Sequence, residues 1–403
     1  MYKQVTRKFK EHLALIIMLG TSLCTFISII IVKNNSDGES FALFSLLQIY
    51  IGYLFTLSFL SSDSVLIRHT TITSEALFIP KNVITQLKRS YAASAIVLPC
   101  VGMLFIETPN DYSILLIIFI LSSLSFGLSI LLRLRAEFSH SILAINAWKI
   151  ISIVIFSVVL IVNGSITKSI ILTAVIASLI TSLIFTLSLT YKKLVTSIKI
   201  SEPTGGNEDY KETEIFKLQY TYLISFLFFA ILGSFDRVLL QYRVDINTYT
   251  SYLYLVSMLI FPIGIIGNYV GYRELVFIKK GKKINITTSI VKVSSFSTIL
   301  FLIYSSLLYL ARDIINLEFN YKIWLAVLIV VICKVPYSIL SAVVGAKGES
   351  SDLITINHFF LLTLVAACIY TYFHGNIYTS IYLVSSIWTL RVIFYYCVAK
   401  KYT

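Results

Sequence analysis

The sequence predicts an all-α polytopic membrane protein: about twelve transmembrane helices in two pseudo-symmetric six-helix halves with a central cleft. Three observations lead there. Of 403 residues, 57% are hydrophobic and only 13% charged, where a soluble domain carries about 25% charged. Apolar runs of about 20 residues, the length that crosses a hydrocarbon core, recur along the whole chain. The longest interval without one, YKKLVTSIKISEPTGGNEDYKETEIFK from Tyr191 to Lys217, falls near its middle. That interval holds Pro203, Gly205, Gly206 and both signs of charge, as a solvated linker does. Residues 1–190 therefore read as the first half, 191–217 as a cytosolic linker and 218–403 as the second half.

The chain opens on the basic stretch MYKQVTRKFKEH before an apolar run from Leu13 to Val32. That run exceeds the 7–15 residues of a signal-peptide core and no small-x-small cleavage site follows, so it is expected to be a retained first helix. The second span covers Phe41 to Leu60 and precedes a polar interval, Ser61 to Ser90. Spans three to six fall near Tyr91–Ile106, Tyr112–Leu132, Ile142–Val162 and Ile170–Thr190. Beyond the linker lie Leu218–Leu240, Thr248–Gly271, Thr287–Leu310, Trp324–Gly345, Leu353–Phe373 and Ile377–Val398.

The net charge of +13 would suit a nucleic-acid binder if the basic residues were clustered, but they sit in alternate gaps between apolar spans. The N-terminus, the gaps after even-numbered spans and the C-terminal tail hold 23 of the 33 Lys and Arg. The gaps after odd-numbered spans hold five. Basic residues are retained on the cytoplasmic side, so both termini are expected in the cytoplasm, and no nucleic-acid partner is expected.

The halves read as diverged copies. A shift of 208 aligns Asp37 with Asp245, Phe41 with Tyr249 and Phe44 with Tyr252, and a shift of 211 aligns SILAIN, ending at Asn146, with DLITIN, ending at Asn357. Copies with an even number of spans share one orientation and are related by an axis along the membrane normal. That arrangement predicts a cleft between them.

The run LGTSLCTFISIIIVKNNSDGESFALFSLL, the basic LLRLRAEF after span four and ILGSFDRVLL at the end of span seven resemble polysaccharide-export flippases of the multidrug/oligosaccharidyl-lipid/polysaccharide superfamily. The resemblance implies a twelve-span transporter of a bacterial inner membrane, not an enzyme. Its cargo would be an undecaprenyl-diphosphate-linked oligosaccharide repeat unit of O-antigen or capsule, moved to the periplasmic leaflet by alternating access. A polysaccharide polymerase and a chain-length regulator are the protein partners it implies.

Ionisable residues inside spans point to cargo independently, because each costs about 2.5–3.5 kcal/mol at mid-membrane on insertion scales. Lys149 lies about seven residues into span five, or roughly 10 Å of rise. Lys334 is near the middle of span ten, Arg391 about six residues from the cytosolic end of span twelve, and His358 at similar depth in span eleven. Asp63, Glu107 and Asp236 all lie near span ends. A basic interior attracts a diphosphate and disfavours organic cations. Lys334 and Lys149 are thus expected to bind the anion, with Arg391 at the cytosolic mouth and Arg237 or Asp236 at the periplasmic one. The alternatives are snorkelling of Lys149, Arg391 and Lys292 to the interface and simple packing for His358. Asp236 and Arg237, adjacent on a helix, are expected to point apart.

Pro99, Pro262 and Pro336 inside spans can kink their helices, and Gly267 with Gly271 permits close packing. The five cysteines are scattered singly, without CxxC spacing, and no GxxxxGK[ST] phosphate loop occurs, so no cofactor or metal site is indicated. Two other functions fit the hydropathy: a cation-coupled small-molecule exporter, and a membrane-embedded polymerase of lipid-linked saccharides. The polymerase would need a large periplasmic loop, and every predicted periplasmic gap is short.

Overall fold

A computed structural model describes residues 2–72, 77–104, 112–135, 137–194, 198–201, 212–279, 285–347 and 350–402. Among these, twelve helices have 20 or more residues, as the sequence predicts. They are α1 (Tyr2–Asn35), α2 (Gly38–Leu57), α4 (Lys81–Gly102), α5 (Tyr112–Leu134), α6 (Phe138–Asn163), α7 (Lys168–Leu194), α8 (Glu212–Leu232), α10 (Ile246–Lys279), α11 (Ile286–Ala311), α12 (Tyr321–Lys347), α13 (Ser350–His374) and α14 (Ile377–Lys400). Two short helices, α3 (Ser62–His69) and α9 (Phe235–Leu240), continue α2 and α8 beyond breaks. Ten helical segments among the described residues are long and apolar enough to cross a membrane. The chain is a multi-pass α-helical membrane protein. The ETPND turn, with Glu107, lies outside the described residues, as do the side-chain surroundings of Pro262 and Gly271.

Contacts divide the chain into two units, Met1–Ala230 and Ile231–Thr403. The linker explains why the division falls later than residue 217. Part of it, β3 (Ile198–Ser201), pairs in parallel with β2 (Leu77–Pro80), which pairs antiparallel with β1 (Thr71–Ile72). Ile215 at the start of α8 is buried with Val65, Leu66, Phe126 and Ile130. These contacts hold most of α8 to the first unit. Within that unit α6 packs along α1, α5 and α7; within the second, α12 packs along α10, α11 and α14. Gly267 serves the α10–α12 contact, since a Cβ there would meet Ser338 Oγ at 3.2 Å.

The internal repeat has a structural counterpart at its first marker. Asp37 caps α2, its carboxylate accepting from the Ser40 amide at 2.7 Å. Asp245 does the same for α10, accepting from Thr248 N–H at 3.0 Å. Each aspartate supplies an acceptor for an otherwise orphaned donor of the first turn.

Among the described residues of the first unit, the non-glycine residues with positive φ lie at the break after α2. Leu60 and Ser61 have φ of 45° and 66°, a left-handed conformation that is costly for residues with a Cβ. Carbonyls released by such a break need donors wherever water is scarce. Ser94 of α4 donates to the Ser58 carbonyl, and Gln219 Nε2 of α8 donates to Leu60 O at 2.9 Å and to Ser90 Oγ at 2.8 Å. Gln86 closes the network by donating to Gln219 Oε1 at 2.6 Å. Gln219→Leu would remove both of the glutamine's donations and its acceptance from Gln86 while keeping most of its volume. A loss of about 2–4 kcal/mol is expected, from desolvation of the groups it leaves unpaired, measurable as a lower unfolding temperature in detergent.

Candidate functional site

Lys149 and Arg391 lie farther from their helix ends than from the ends of their apolar spans, because the helices outrun the spans, while Lys334 is near the middle of its helix as of its span. Lys149 is eleven residues from the start of α6, since that helix begins at Phe138. That is about 16 Å of rise, not the roughly 10 Å expected. Lys334 is thirteen residues into α12, and Arg391 is nine from the end of α14. Each sits in the middle part of a helix long enough to span the bilayer.

Helical register shows which way they face. The exposed apolar stripe of α6 runs through Ile150, Val154, Val158 and Ile161. Lys149 is rotated roughly 135° from it at 100° per residue. On α12, Lys334 is rotated roughly 160° from the exposed Tyr321, Leu325 and Ile332. Both lysines, half-buried as residues, lie on the helix face turned away from the side where lipid would lie.

In the second unit Arg391 is fully buried, with 0% of its surface exposed. Snorkelling is therefore not its role, and it does not line an open mouth. The reason is an aromatic enclosure. Its guanidinium carbon lies 5.2, 4.9 and 5.5 Å from the ring centres of Tyr337, Tyr395 and Phe360, within cation–π range. Its Nη2 donates to Tyr337 Oη and Asn357 Oδ1 at 3.1 Å each and to Tyr395 Oη at 3.3 Å. Tyr337 packs edge-on to Trp388 at 5.6 Å, and Lys334 Nζ stands 5.8 Å from the Trp388 ring centre. Lys334 and Arg391 thus flank one aromatic assembly drawn from α12, α13 and α14.

Asp236 and Arg237 occupy the first turn of α9. Asp236 is buried, and its Oδ2 accepts from the Tyr252 hydroxyl. Arg237 Nε stands 4.0 Å from Asp236 Oδ1, so the expectation that the two are not partners needs correction. The cause is local. The guanidinium folds back over the preceding break to donate to the Gly233 carbonyl, and this swings Nε towards its neighbour. Tyr249 Oη donates to the Arg237 carbonyl at 2.5 Å. The two tyrosines that serve this turn are the ones the repeat aligns with Phe41 and Phe44. His358 lies elsewhere, its Nδ1 donating to Ile354 O one turn back at 2.8 Å, a bond any packed helix histidine can make.

In the first unit Lys149 Nζ donates to Asn146 Oδ1 at 2.8 Å, and Asn146 Nδ2 donates to Ile142 O at 2.9 Å. Beside this pair, Ser152 donates to Lys149 O at 2.9 Å. The groups that hold the cations, Asn146, Asn357, Tyr337, Tyr395 and Trp388, are uncharged and were not among the residues expected from the sequence. The two asparagines did carry a signal, since both end the aligned segments. Among the described residues no three His, Cys, Asp or Glu side chains gather as a metal site.

No family model matches the chain, and no curated protein matches it significantly. Solved structures do. The chain is similar to the outward-facing conformation of a multidrug resistance MATE family transporter of the MOP superfamily, with a TM-score of 0.57, 12% identity and coverage of 97% of this chain and 95% of that one. The inward-facing conformation of such a transporter matches at 0.56 and 13%, over 96% and 97%. A MOP superfamily transporter from Pyrococcus furiosus matches at 0.56 and 12%, over 97% and 94%. The fold is that of a two-half polytopic membrane transporter. More narrowly, it is the fold of the MOP superfamily transporters.

Proposed function

We propose that the chain is a MOP-type transporter of an anionic amphiphile, with an undecaprenyl-diphosphate-linked oligosaccharide as the cargo that its motifs imply. The observation that carries this reading is the sign and placement of the deep charges. Lys149 and Lys334 face away from the lipid stripes of their helices, and an ammonium at that depth is retained only for a reason. A polyanionic head group supplies one. Arg391, enclosed and hydrogen-bonded, organises the surroundings of Lys334 in this conformation. The prenyl tail would stay in lipid while alternating access moves the head group, and cargo binding must differ between the two states to shift them.

A second reading, a cation-coupled small-molecule exporter, is favoured by the comparisons, since multidrug resistance transporters share the fold. The buried Asp236 carboxylate under Tyr252 gives it a residue to work with. Within this fold the polarity of the site bears on cargo: for the Pyrococcus furiosus transporter, reverse polarity of the binding pocket suggests a different function. A gene deletion separates the readings, with lipid-linked saccharides assayed on spheroplasts using a membrane-impermeant reagent. Single repeat units shielded from the reagent are the expected result. An unchanged lipid-linked pool, together with drug sensitivity, would transfer the assignment to the exporter.

A further inference from the structure

The amides at the second pair of repeat markers hold cations in both halves. Asn146 and Asn357 align with a shift of 211 and lie on the fifth long helix of their respective halves, α6 and α13. In the first half the amide oxygen accepts from Lys149 Nζ at 2.8 Å; in the second it accepts from Arg391 Nη2 at 3.1 Å. The cation comes from the same helix in one case and from α14 in the other. Only the acceptor is common to both.

We propose that Asn146 is a charge-preserving positioning residue: it fixes the Lys149 ammonium for an anionic ligand without neutralising it. Resting on the anionic-cargo reading above, the inference adds a specificity-determining residue to it. The geometry supports the role in two ways. Asn146 Nδ2 is committed to the Ile142 carbonyl, which turns Oδ1 towards Lys149 and makes the acceptor pre-oriented. An amide oxygen also carries no net charge, so one bond restrains the ammonium while its remaining donors and its full charge stay available. A carboxylate at the same place would form an ion pair at mid-helix, where low dielectric makes the pairing strong. Asn357 repeats the choice of a neutral acceptor against Arg391, also sharing its oxygen with Tyr395 Oη at 3.3 Å.

The test is calorimetric titration of inorganic pyrophosphate into the purified full-length protein in detergent, with folding checked by monodisperse elution. Wild type against Lys149→Gln defines the Lys149-dependent part of binding. Asn146→Asp, which is isosteric, is expected to weaken that part about 100-fold by pairing the ammonium. Asn146→Ala should cost only about fivefold, the price of one lost hydrogen bond. A packing role gives the reverse order, because truncation disturbs packing more than an isosteric change. Asn146→Ser, which keeps a neutral acceptor, should bind better than Asn146→Ala and preserves the test if the aspartate variant does not fold. Binding by Asn146→Asp equal to wild type, or weaker binding by Asn146→Ser than by Asn146→Ala, overturns the positioning role alone. Absence of pyrophosphate binding by wild type, or Lys149→Gln binding like wild type, overturns the anionic reading at Lys149 and the inference with it.

Discussion

Lys149→Gln and Lys334→Gln are each expected to reduce export at least tenfold while inserting and folding normally, and the double variant to abolish it. The magnitude follows from what the substitution removes. A charge-assisted contact to a phosphate contributes about 1.5–3 kcal/mol, or roughly one to two decades in binding. Folding should survive because glutamine keeps most of the aliphatic stem and can still donate. Lys149 loses one bond, to Asn146, and Lys334 its approach to Trp388; glutamine also abolishes the cost of holding a charge at mid-helix. Lys292 is the control. It is exposed, six residues from the start of α11, close enough to an interface to snorkel, and Lys292→Gln should export normally. Export is read as surface polysaccharide normalised to membrane-inserted protein. Normal export by both single variants would remove the lysines from the site and the anionic cargo from the reading.

Arg391→Ala is expected to fail for a different reason. The side chain is among the largest fully buried in the protein and joins α14 to Tyr337 of α12 and Asn357 of α13. Truncation would leave three buried polar acceptors, Tyr337 Oη, Asn357 Oδ1 and Tyr395 Oη, with fewer partners and a cavity among Tyr337, Phe360 and Tyr395. The combined cost is on the order of 3–5 kcal/mol. Arg391→Lys should rescue it poorly, because an ammonium cannot place planar donors on several acceptors while stacking against rings. The check is thermal unfolding in detergent beside Lys334→Gln. A large drop for Arg391→Ala and Arg391→Lys, with little change for Lys334→Gln, separates an organising cation from a ligand-facing one. Equal stability of Arg391→Ala and wild type would contradict the organising role.

The fold was legible because a bilayer simplifies the problem. Length and apolarity alone define a span when every backbone group must be satisfied within its own helix, and each of the twelve long helices overlaps a predicted span, although α4 starts ten residues before its span and α8 stops eight residues short of the end of its own. What escaped was structure that depends on partners distant in sequence. The Leu60–Ser61 break carries no proline or glycine to announce it, and it is stabilised by Gln219, 159 residues from Leu60. Part of the linker read as solvated, yet β3 finds its partner in the gap after α3. At the site, the residue types that cost most in lipid were identifiable from cost alone, which is why Lys149, Lys334 and Arg391 stood out. Their roles diverged because enclosure is a property of neighbours. Nothing in RVIFYYC separates Arg391 from a snorkelling arginine until Tyr337 and Asn357 are brought to it. Asn146 and Asn357 were visible only as markers of duplication, since a neutral amide draws no attention in a hydropathy count.

The Gln219 network has a consequence for biogenesis. The Leu60 carbonyl leaves the ribosome long before its donor does, so the first six long helices can enter the membrane and still lack one internal partner. Only when the start of α8 follows is that break sealed. The first half is therefore finished by a segment synthesised after the linker, and a nascent chain stopped at residue 190 would present an unsatisfied bend that one stopped at residue 230 would not.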